Sequence, residues 1–189
     1  MMTSTNLRPT VGDIAPDIGV RRAANGVELR LTELWTEGPA VLIFLRYLGC
    51  PFCREHAAKI HDALDVFRRY GAKIAFVTVG KEDDMRAFCD DRDLARSVEC
   101  LSDPDRAAYR AFGLSRGGVA EMFGPQVLAR GLQAALHGHF LGMPKGDLFQ
   151  LPGVFIVDRT GMIRFAHRNK DAADNPPNEA LFQVLETLA

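Results

Sequence analysis

Two cysteines separated by two residues stand where a buried-strand pattern gives way to a helical one. Residues 40–45 form an uninterrupted apolar run, which is typical of a buried strand. The segment Cys-Pro-Phe-Cys follows at 50–53, and over residues 54–70 apolar side chains recur at the spacing of a helix. The sequence therefore predicts a strand, a short loop and a helix that begins at the two thiols.

Pro51 suits the first position of a helix, because its missing N–H would have no partner there and its φ already fits. Cys50 then becomes the N-cap, and Cys53 ends the first turn. Unpaired N–H groups and the positive end of the helix dipole stabilise an anion there, which lowers a thiol pKa. The spacing also brings both sulfurs to one helix face. Cys50 and Cys53 are therefore candidate catalytic residues for dithiol–disulfide chemistry.

Two other interpretations of this motif stay open. One is half of a zinc site completed by His56 or His61, although the chain has no second pair of closely spaced cysteines. The other is a pair of thiols that only pack in the core, which would not require a helix start with proline. We expect no metal or other cofactor, because the sequence shows no flavin or nucleotide motif.

Charge and hydropathy narrow the class of protein. The chain has 23 Lys and Arg against 24 Asp and Glu and shows no basic stripe, so we do not expect a nucleic-acid partner. No secretory signal and no apolar run of membrane-spanning length is visible. We expect a cytoplasmic protein without a membrane segment, in a reducing compartment where such a cysteine pair is more often catalytic or metal-binding than a permanent bridge.

The order of the predicted elements indicates an α/β fold. A β-hairpin around the Asn-Gly pair at 25–26 precedes the first buried strand, and strands then alternate with helices until a closing hairpin around 158–161. This order predicts a central mixed sheet flanked by helices. We expect a flexible N-terminus at 1–10 and a single domain over 11–189, with a helical insertion at about 115–150. Substrate choice or homodimer contacts are the roles that we expect for the insertion.

Three further segments, together with the cysteine motif, carry a family resemblance. They are Val-Gly-Asp-Ile-Ala-Pro-Asp at 11–17, Asp-Pro-Asp-Arg-Ala-Ala-Tyr-Arg-Ala-Phe-Gly-Leu at 103–114, and Phe-Ile-Val-Asp with a later glycine at 155–161. They resemble the peroxiredoxin-like 2 proteins, AhpC/TSA-type antioxidant members of the thioredoxin-like superfamily that carry Cys-x-x-Cys. The resemblance implies a thioredoxin-like fold, a small peroxide or disulfide as substrate, and a thioredoxin- or glutathione-like thiol as reductant.

The residues that surround the attacking cysteine in peroxiredoxins are replaced in this chain. The family pattern has a proline seven residues, and a threonine three residues, before that cysteine. If Cys53 is matched to that cysteine, Arg46 stands at the proline position and Cys50 at the threonine position. If Cys50 is matched instead, Ile43 and Tyr47 stand at these two positions. We therefore expect slow reduction of hydrogen peroxide. The likeness to thioredoxin implies an exposed, attacking Cys50 with Cys53 resolving, and the peroxiredoxin alignment implies the reverse.

Pro152 and Arg46 are the remaining candidate site residues. Leu151-Pro152 precedes a predicted strand where thioredoxin-fold enzymes carry a cis-proline, so the resemblance implies a cis bond that presents backbone groups to a substrate. An ordinary trans proline at a strand start is the alternative. Arg46 stands four residues before Cys50. A cation there would lower a thiol pKa or bind a substrate anion, and a surface arginine is the alternative of equal weight.

The other two cysteines are expected to be inert. Cys89 lies on the apolar side of a short predicted helix, and Cys100 lies beside the end of a predicted strand. Packed thiols are therefore the first expectation for both residues. A role as a resolving partner is the lesser alternative.

Overall fold

A seven-stranded mixed sheet forms the centre of the protein, as the sequence predicts. The structure is a computed structural model that describes residues 8–119, 121, 124–136, 138 and 147–188. The strands are β1 (Gly19–Arg22), β2 (Glu28–Arg30), β3 (Ala40–Phe44), β4 (Lys73–Thr78), β5 (Glu99–Ser102), β6 (Gly153–Val157) and β7 (Ile163–Arg168). Their spatial order is β2-β1-β5-β4-β3-β6-β7. Strands β3, β4 and β5 are parallel, and the other pairs are antiparallel.

Helices cover both faces of this sheet. They are α1 (Pro51–Asp62), α2 (Leu64–Arg69), α3 (Glu82–Asp90), α4 (Ala107–Ala111), α5 (Pro125–Leu136) and α6 (Asn178–Glu186). Buried side chains of α1, α2, α3, α5 and α6 share one core cluster, and those of α4 belong to the other. The helix predicted over 54–70 is two helices, because Ala63 has a non-helical backbone (φ −106°, ψ 5°).

Strand β3 shows why the first apolar run contains no polar residue. Val41 and Ile43 belong to the core cluster on the α1 face, whereas Leu42 and Phe44 belong to the cluster on the α4 face. All four side chains are buried, because successive residues of a strand point to opposite faces and both faces are covered. The chain leaves β3 at the carboxyl edge of the parallel strands and enters α1 there, which places the cysteine motif at that edge.

A buried tyrosine holds the end of this strand. The Tyr109 hydroxyl lies 2.6 Å from the carbonyl oxygen of Leu45 and 2.8 Å from that of Val77, so its proton is shared between two acceptors. Tyr109 is itself fixed because Asp103 accepts hydrogen bonds from the first N–H groups of α4. The segment that leads to the cysteines is thus anchored from the opposite face of the sheet.

The predicted N-terminus and insertion are described only in part. Residues 1–7 lie outside the described residues, whereas Pro9 is buried and its carbonyl accepts a hydrogen bond from Arg168. Within the insertion, α5 packs against α1, and residues 139–146 lie outside the described residues. Among the described helices, none is both long enough and apolar enough to span a membrane.

Candidate active site

The start of α1 holds the two cysteines of the motif. Cys50 is the N-cap with an extended backbone, and Pro51 occupies the first helical position, as the sequence predicts. Both thiols are free and buried, with 0 % of Cys50 and 3 % of Cys53 exposed. The expectation of an exposed Cys50 is therefore wrong. The loop before α1 and the helices packed around it cover both sulfurs, which the likeness to thioredoxin alone could not reveal.

The two thiols differ in charge. Burial raises the pKa of Cys50, but the Cys53 thiol, the Arg46 guanidinium and the nearby N–H groups of Cys53 and Phe52 lower it to about 6. These N–H groups face the sulfur without a strict capping hydrogen bond. The hydrogen bond to Cys50, together with burial, raises the pKa of Cys53 well above its usual range. At neutral pH, Cys50 is the thiolate and Cys53 the thiol that donates a hydrogen bond to it.

Arg46 lies inside the site and not on the surface, because only 4 % of it is exposed. Its backbone N–H donates to Cys53 Sγ at 3.3 Å, and its Nη1 lies 3.8 Å from Cys50 Sγ. Its Nε donates to the carbonyl oxygen of Leu148 at 2.9 Å, and its guanidinium stacks 4.9 Å from the ring centre of Tyr47. The cation is thus held against the thiolate from two sides.

The contribution of Leu148 was not predicted. It lies 102 residues after Arg46 and contributes only a backbone carbonyl. Any residue type supplies such a carbonyl, so the sequence contains no signal for it.

His56 lies one turn further along α1 and is buried. Burial lowers the pKa of its imidazole to about 4, so the ring is neutral at pH 7. Its Nε2 has no hydrogen-bond partner among the described residues. Within the described part of the chain, no group of three or more His, Cys, Asp or Glu could hold a metal ion. Among the described residues, the histidine therefore lies beside the two free cysteines without a zinc ligand set around it.

Pro152 does not form the predicted cis bond. The Leu151–Pro152 peptide bond is trans. The N–H of Leu151 donates to the carbonyl of Ser115, and the carbonyl of Pro152 accepts from the N–H of Asn169. A peptide bond before proline still favours trans, although by less than other peptide bonds do. The two hydrogen bonds also hold the chain on an extended path into β6. Any role of Pro152 toward a substrate stays a prediction.

A cleft of about 350 Å³ opens beside the motif, between α1, α5 and residues 173–177. Phe52, which lies between the two cysteines, forms part of its wall. The lining combines apolar surface with Arg130 and with the ion pair between Lys59 and Glu55. The cleft could therefore accept a small organic molecule.

The expectation of inert thiols at Cys89 and Cys100 is wrong, because the two residues form a disulfide. Cys89 is near the end of α3 and Cys100 is in β5, and their Cα atoms lie 6.7 Å apart. The pairing depends on how α3 packs against the sheet. The separate patterns of a helix and a strand do not contain that information.

Comparison with known proteins identifies the family. The model of the AhpC/TSA family matches residues 11–166. The chain belongs to the AhpC/TSA family.

Relatives of this family member include a thioredoxin-like protein AAED1, chloroplastic, of Arabidopsis thaliana, which is 26 % identical over 84 % of this chain and 66 % of its own length. A prostamide/prostaglandin F synthase of Danio rerio is 27 % identical over 88 % of this chain and 83 % of its own. A human peroxiredoxin-like 2C is 24 % identical over 86 % of this chain and 75 % of its own length. This chain thus spans just under two thirds of the Arabidopsis protein.

Solved structures share the fold. The peroxidoxin BcpB of Mycobacterium tuberculosis superposes with a TM-score of 0.70 at 19 % identity, covering 95 % of this chain and 97 % of its own. A peroxiredoxin-like protein of Aquifex aeolicus also gives 0.70, at 18 % identity over 96 % and 89 %. The fold is therefore thioredoxin-like, as the sequence predicts.

Proposed function

We propose that this family member reduces a small organic peroxide, with Cys50 as the attacking thiolate and Cys53 as the resolving thiol. The observation that carries this assignment is the unequal charge of the pair. Cys50 has a pKa lowered to about 6, whereas the pKa of Cys53 is raised well above its usual range. Because the thiolate is the nucleophile, the order of attack follows from the order of the two pKa values.

The first step transfers one oxygen to sulfur. The Cys50 thiolate attacks the outer oxygen of the peroxide, the O–O bond breaks, and Cys50 becomes a sulfenic acid. The alkoxide that leaves takes the proton of the Cys53 thiol and departs as an alcohol. Arg46 lies 3.8 Å from the attacking sulfur, where its charge stabilises the negative charge of this step.

The second step closes a disulfide. The Cys53 thiolate attacks the Cys50 sulfur, an S–S bond forms, and the S–O bond breaks. Hydroxide leaves and becomes water with a proton from solvent. Two electrons have then passed from the dithiol to the peroxide. An external thiol, thioredoxin- or glutathione-like, returns them by thiol–disulfide exchange.

Burial and the cleft favour this substrate class. Cysteines that are 0 % and 3 % exposed do not meet a disulfide on the surface of a folded protein, so a small oxidant suits them better. The cleft beside Phe52 supports an oxidant with an organic body. The name of the zebrafish relative, prostamide/prostaglandin F synthase, agrees with an organic substrate. A protein disulfide reductase is the second candidate, favoured by the Cys-x-x-Cys spacing at the helix start.

The test is an anaerobic titration of the reduced protein with cumene hydroperoxide, hydrogen peroxide and a small aromatic disulfide. Intact mass is followed, and peptide mapping locates each new bond so that Cys89–Cys100 is not counted. The wild type should lose two hydrogens at Cys50 and Cys53. The Cys53→Ser variant should gain one oxygen at Cys50, and the Cys50→Ser variant should do neither.

The rates decide between the candidates. Cumene hydroperoxide should react faster than hydrogen peroxide and the aromatic disulfide. If the disulfide reacts fastest, the protein is a disulfide reductase. If Cys53 carries the oxygen in the Cys50→Ser variant, the assignment of the two roles is wrong.

The cytoplasm stays the expected compartment, since a thiol reductant must be present.

A further inference from the structure

The second pair of cysteines plays no part in the proposed cycle, yet it is the more exposed of the two pairs. Cys100 is partly exposed, whereas Cys50 and Cys53 are buried. Both Cys89 and Cys100 line a surface cleft of about 180 Å³. A dithiol in solution can therefore approach this disulfide without unfolding the protein.

The size of the core does not require a disulfide at this place. Two large buried clusters fill the space on either side of the sheet. A domain of 189 residues buries enough apolar surface to be stable without a covalent staple. The fold therefore does not depend on the bond, and a role besides stability is open to it.

The disulfide ties α3 to the edge of the parallel strands. At the end of α3, the carbonyl of Cys89 accepts a hydrogen bond from the N–H of Leu94 at 2.9 Å. In β5, the carbonyl of Cys100 accepts a hydrogen bond from the N–H of Ala23 at 2.8 Å. These hydrogen bonds fix the backbone on both sides of the bond. Without the bond, the side chains of α3 packed in the core would be its main hold on the sheet.

Helix α3 also lies beside the loop that leads to Cys50. Met85 and Phe88 are buried in the same core cluster as Cys50 and Cys53. Phe88 lines a further cleft together with Gly49, the residue directly before Cys50. A change in how firmly α3 is held would therefore act first on this loop.

We propose that Cys89 and Cys100 form a second, exchangeable redox couple that controls access to Cys50. A thiolate of an external dithiol attacks the Cys100 sulfur, the S–S bond breaks, and Cys89 leaves as a thiolate that takes a proton from solvent. The second thiol of the reductant then attacks the mixed disulfide and releases Cys100. Two electrons pass from the reductant to the couple. The open couple loosens α3, and Cys50 becomes easier to reach.

The test uses the full chain in native buffer at pH 7. In a Cys50→Ser/Cys53→Ser background, the protein is equilibrated with mixtures of reduced and oxidised dithiothreitol, quenched with acid and labelled with a maleimide. Peptide mass mapping then counts thiols at positions 89 and 100. We expect the couple to open and close reversibly across the titration without denaturant.

The effect on the active site is measured by the labelling rate of Cys50 with iodoacetamide. The Cys89→Ser/Cys100→Ser variant mimics the open couple, and we expect it to label at least threefold faster than the wild type with the couple closed. Ala95→Ser, on the wall of the same cleft, is the matched control and should label at the wild-type rate. Labelling requires no peroxide, so a failure of peroxide reduction leaves this result unaffected.

Three results would overturn the proposal. The first is a couple that opens only after denaturant is added, which would make it a structural bond. The second is a pair of free thiols even in fully oxidised dithiothreitol. The third is reversible opening with an unchanged labelling rate of Cys50, which would remove control of access. The redox titration tests the first two results without the Cys89→Ser/Cys100→Ser variant, so it stands even if that variant fails to fold.

Discussion

The two cysteine pairs of this protein obtain their chemistry from different levels of structure. Cys50 and Cys53 are two residues apart on one helix, both free and buried. Cys89 and Cys100 are 11 residues apart on a helix and a strand, and they are bonded. In the first pair, the helix start and one arginine divide a single proton unequally between two thiols. In the second, tertiary packing alone brings the sulfurs together.

This contrast teaches that the surroundings of a cysteine decide whether it is a reagent or a cross-link. The first pair lies among groups whose charge affects a thiol, namely Arg46 and the first N–H groups of α1. The second pair lies in a surface cleft whose charged residues are of both signs. The pairs should therefore respond to different perturbations.

The largest expected effect separates the pairs by activity. Replacing Cys50 by serine should slow oxidation by cumene hydroperoxide at least about 1,000-fold, because the attacking thiolate is gone. The Cys89→Ser/Cys100→Ser variant should keep at least the wild-type rate. Stopped-flow fluorescence of the single tryptophan, or peroxide consumption, measures both. Equal losses of oxidation rate in the two variants would contradict the proposed difference between the two pairs.

The next effect separates the pairs by stability. Opening the loop between Cys89 and Cys100 should lower the free energy of unfolding by about 3 kcal/mol, through the entropy of the unfolded chain. Urea unfolding of Cys89→Ser/Cys100→Ser under oxidising conditions measures the loss, and dithiothreitol should produce the same loss in the wild type. Ala95→Ser, on the wall of the same cleft, is the matched control, because it leaves both pairs of cysteines intact. A loss below about 1 kcal/mol would contradict the loop-closure account.

A smaller expected effect is a loss of folding stability in acid, which arises from His56 beside the free pair of cysteines. His56 has a pKa of about 4 in the folded protein against 6.5 as the reference value, so the unfolded state binds more protons between these values. Stability conferred by the neutral ring is full above pH 6.5 and is lost as the pH falls toward 4. Relative to a His56→Leu variant, the wild type should lose about 2 kcal/mol between pH 7 and pH 4.5.

Urea unfolding at the two pH values measures this difference. His61→Leu is the control on the same helix, since the His61 side chain is 40 % exposed. It should leave the acid dependence unchanged. An acid dependence that persists in His56→Leu would assign it to another group.

The smallest effect concerns the arginine of the free pair. Removing its charge in Arg46→Met should raise the pKa of Cys50 by about two units, which leaves about one tenth of the thiolate at pH 7. Iodoacetamide labelling of Cys50 from pH 5 to pH 9 measures the shift. Arg46→Lys keeps the charge and should retain at least half of the wild-type rate. An unchanged profile in Arg46→Met would leave the Cys53 thiol and the helix start as the causes of the lowered pKa.

Local patterns predicted most of the fold. The apolar run that became β3, the helix start at Pro51 and the two hairpins all depend on neighbouring residues and on alternation along one element. The same local reasoning placed Cys50 and Cys53 together at the start of one helix, because two positions in its first turn have a fixed separation. The resemblance supplied the thioredoxin-like fold in which these elements assemble.

By itself, the sequence determined which residues start the helix, which strands are buried and which two thiols share a helix turn, since these properties arise within a few residues. Tertiary structure decided the rest. It buried Cys50, bonded Cys89 to Cys100, kept Pro152 trans and placed Arg46 between the thiolate and the carbonyl of Leu148. Each of these outcomes depends on contacts between segments distant in the chain, and no local pattern encodes the distance between two such segments.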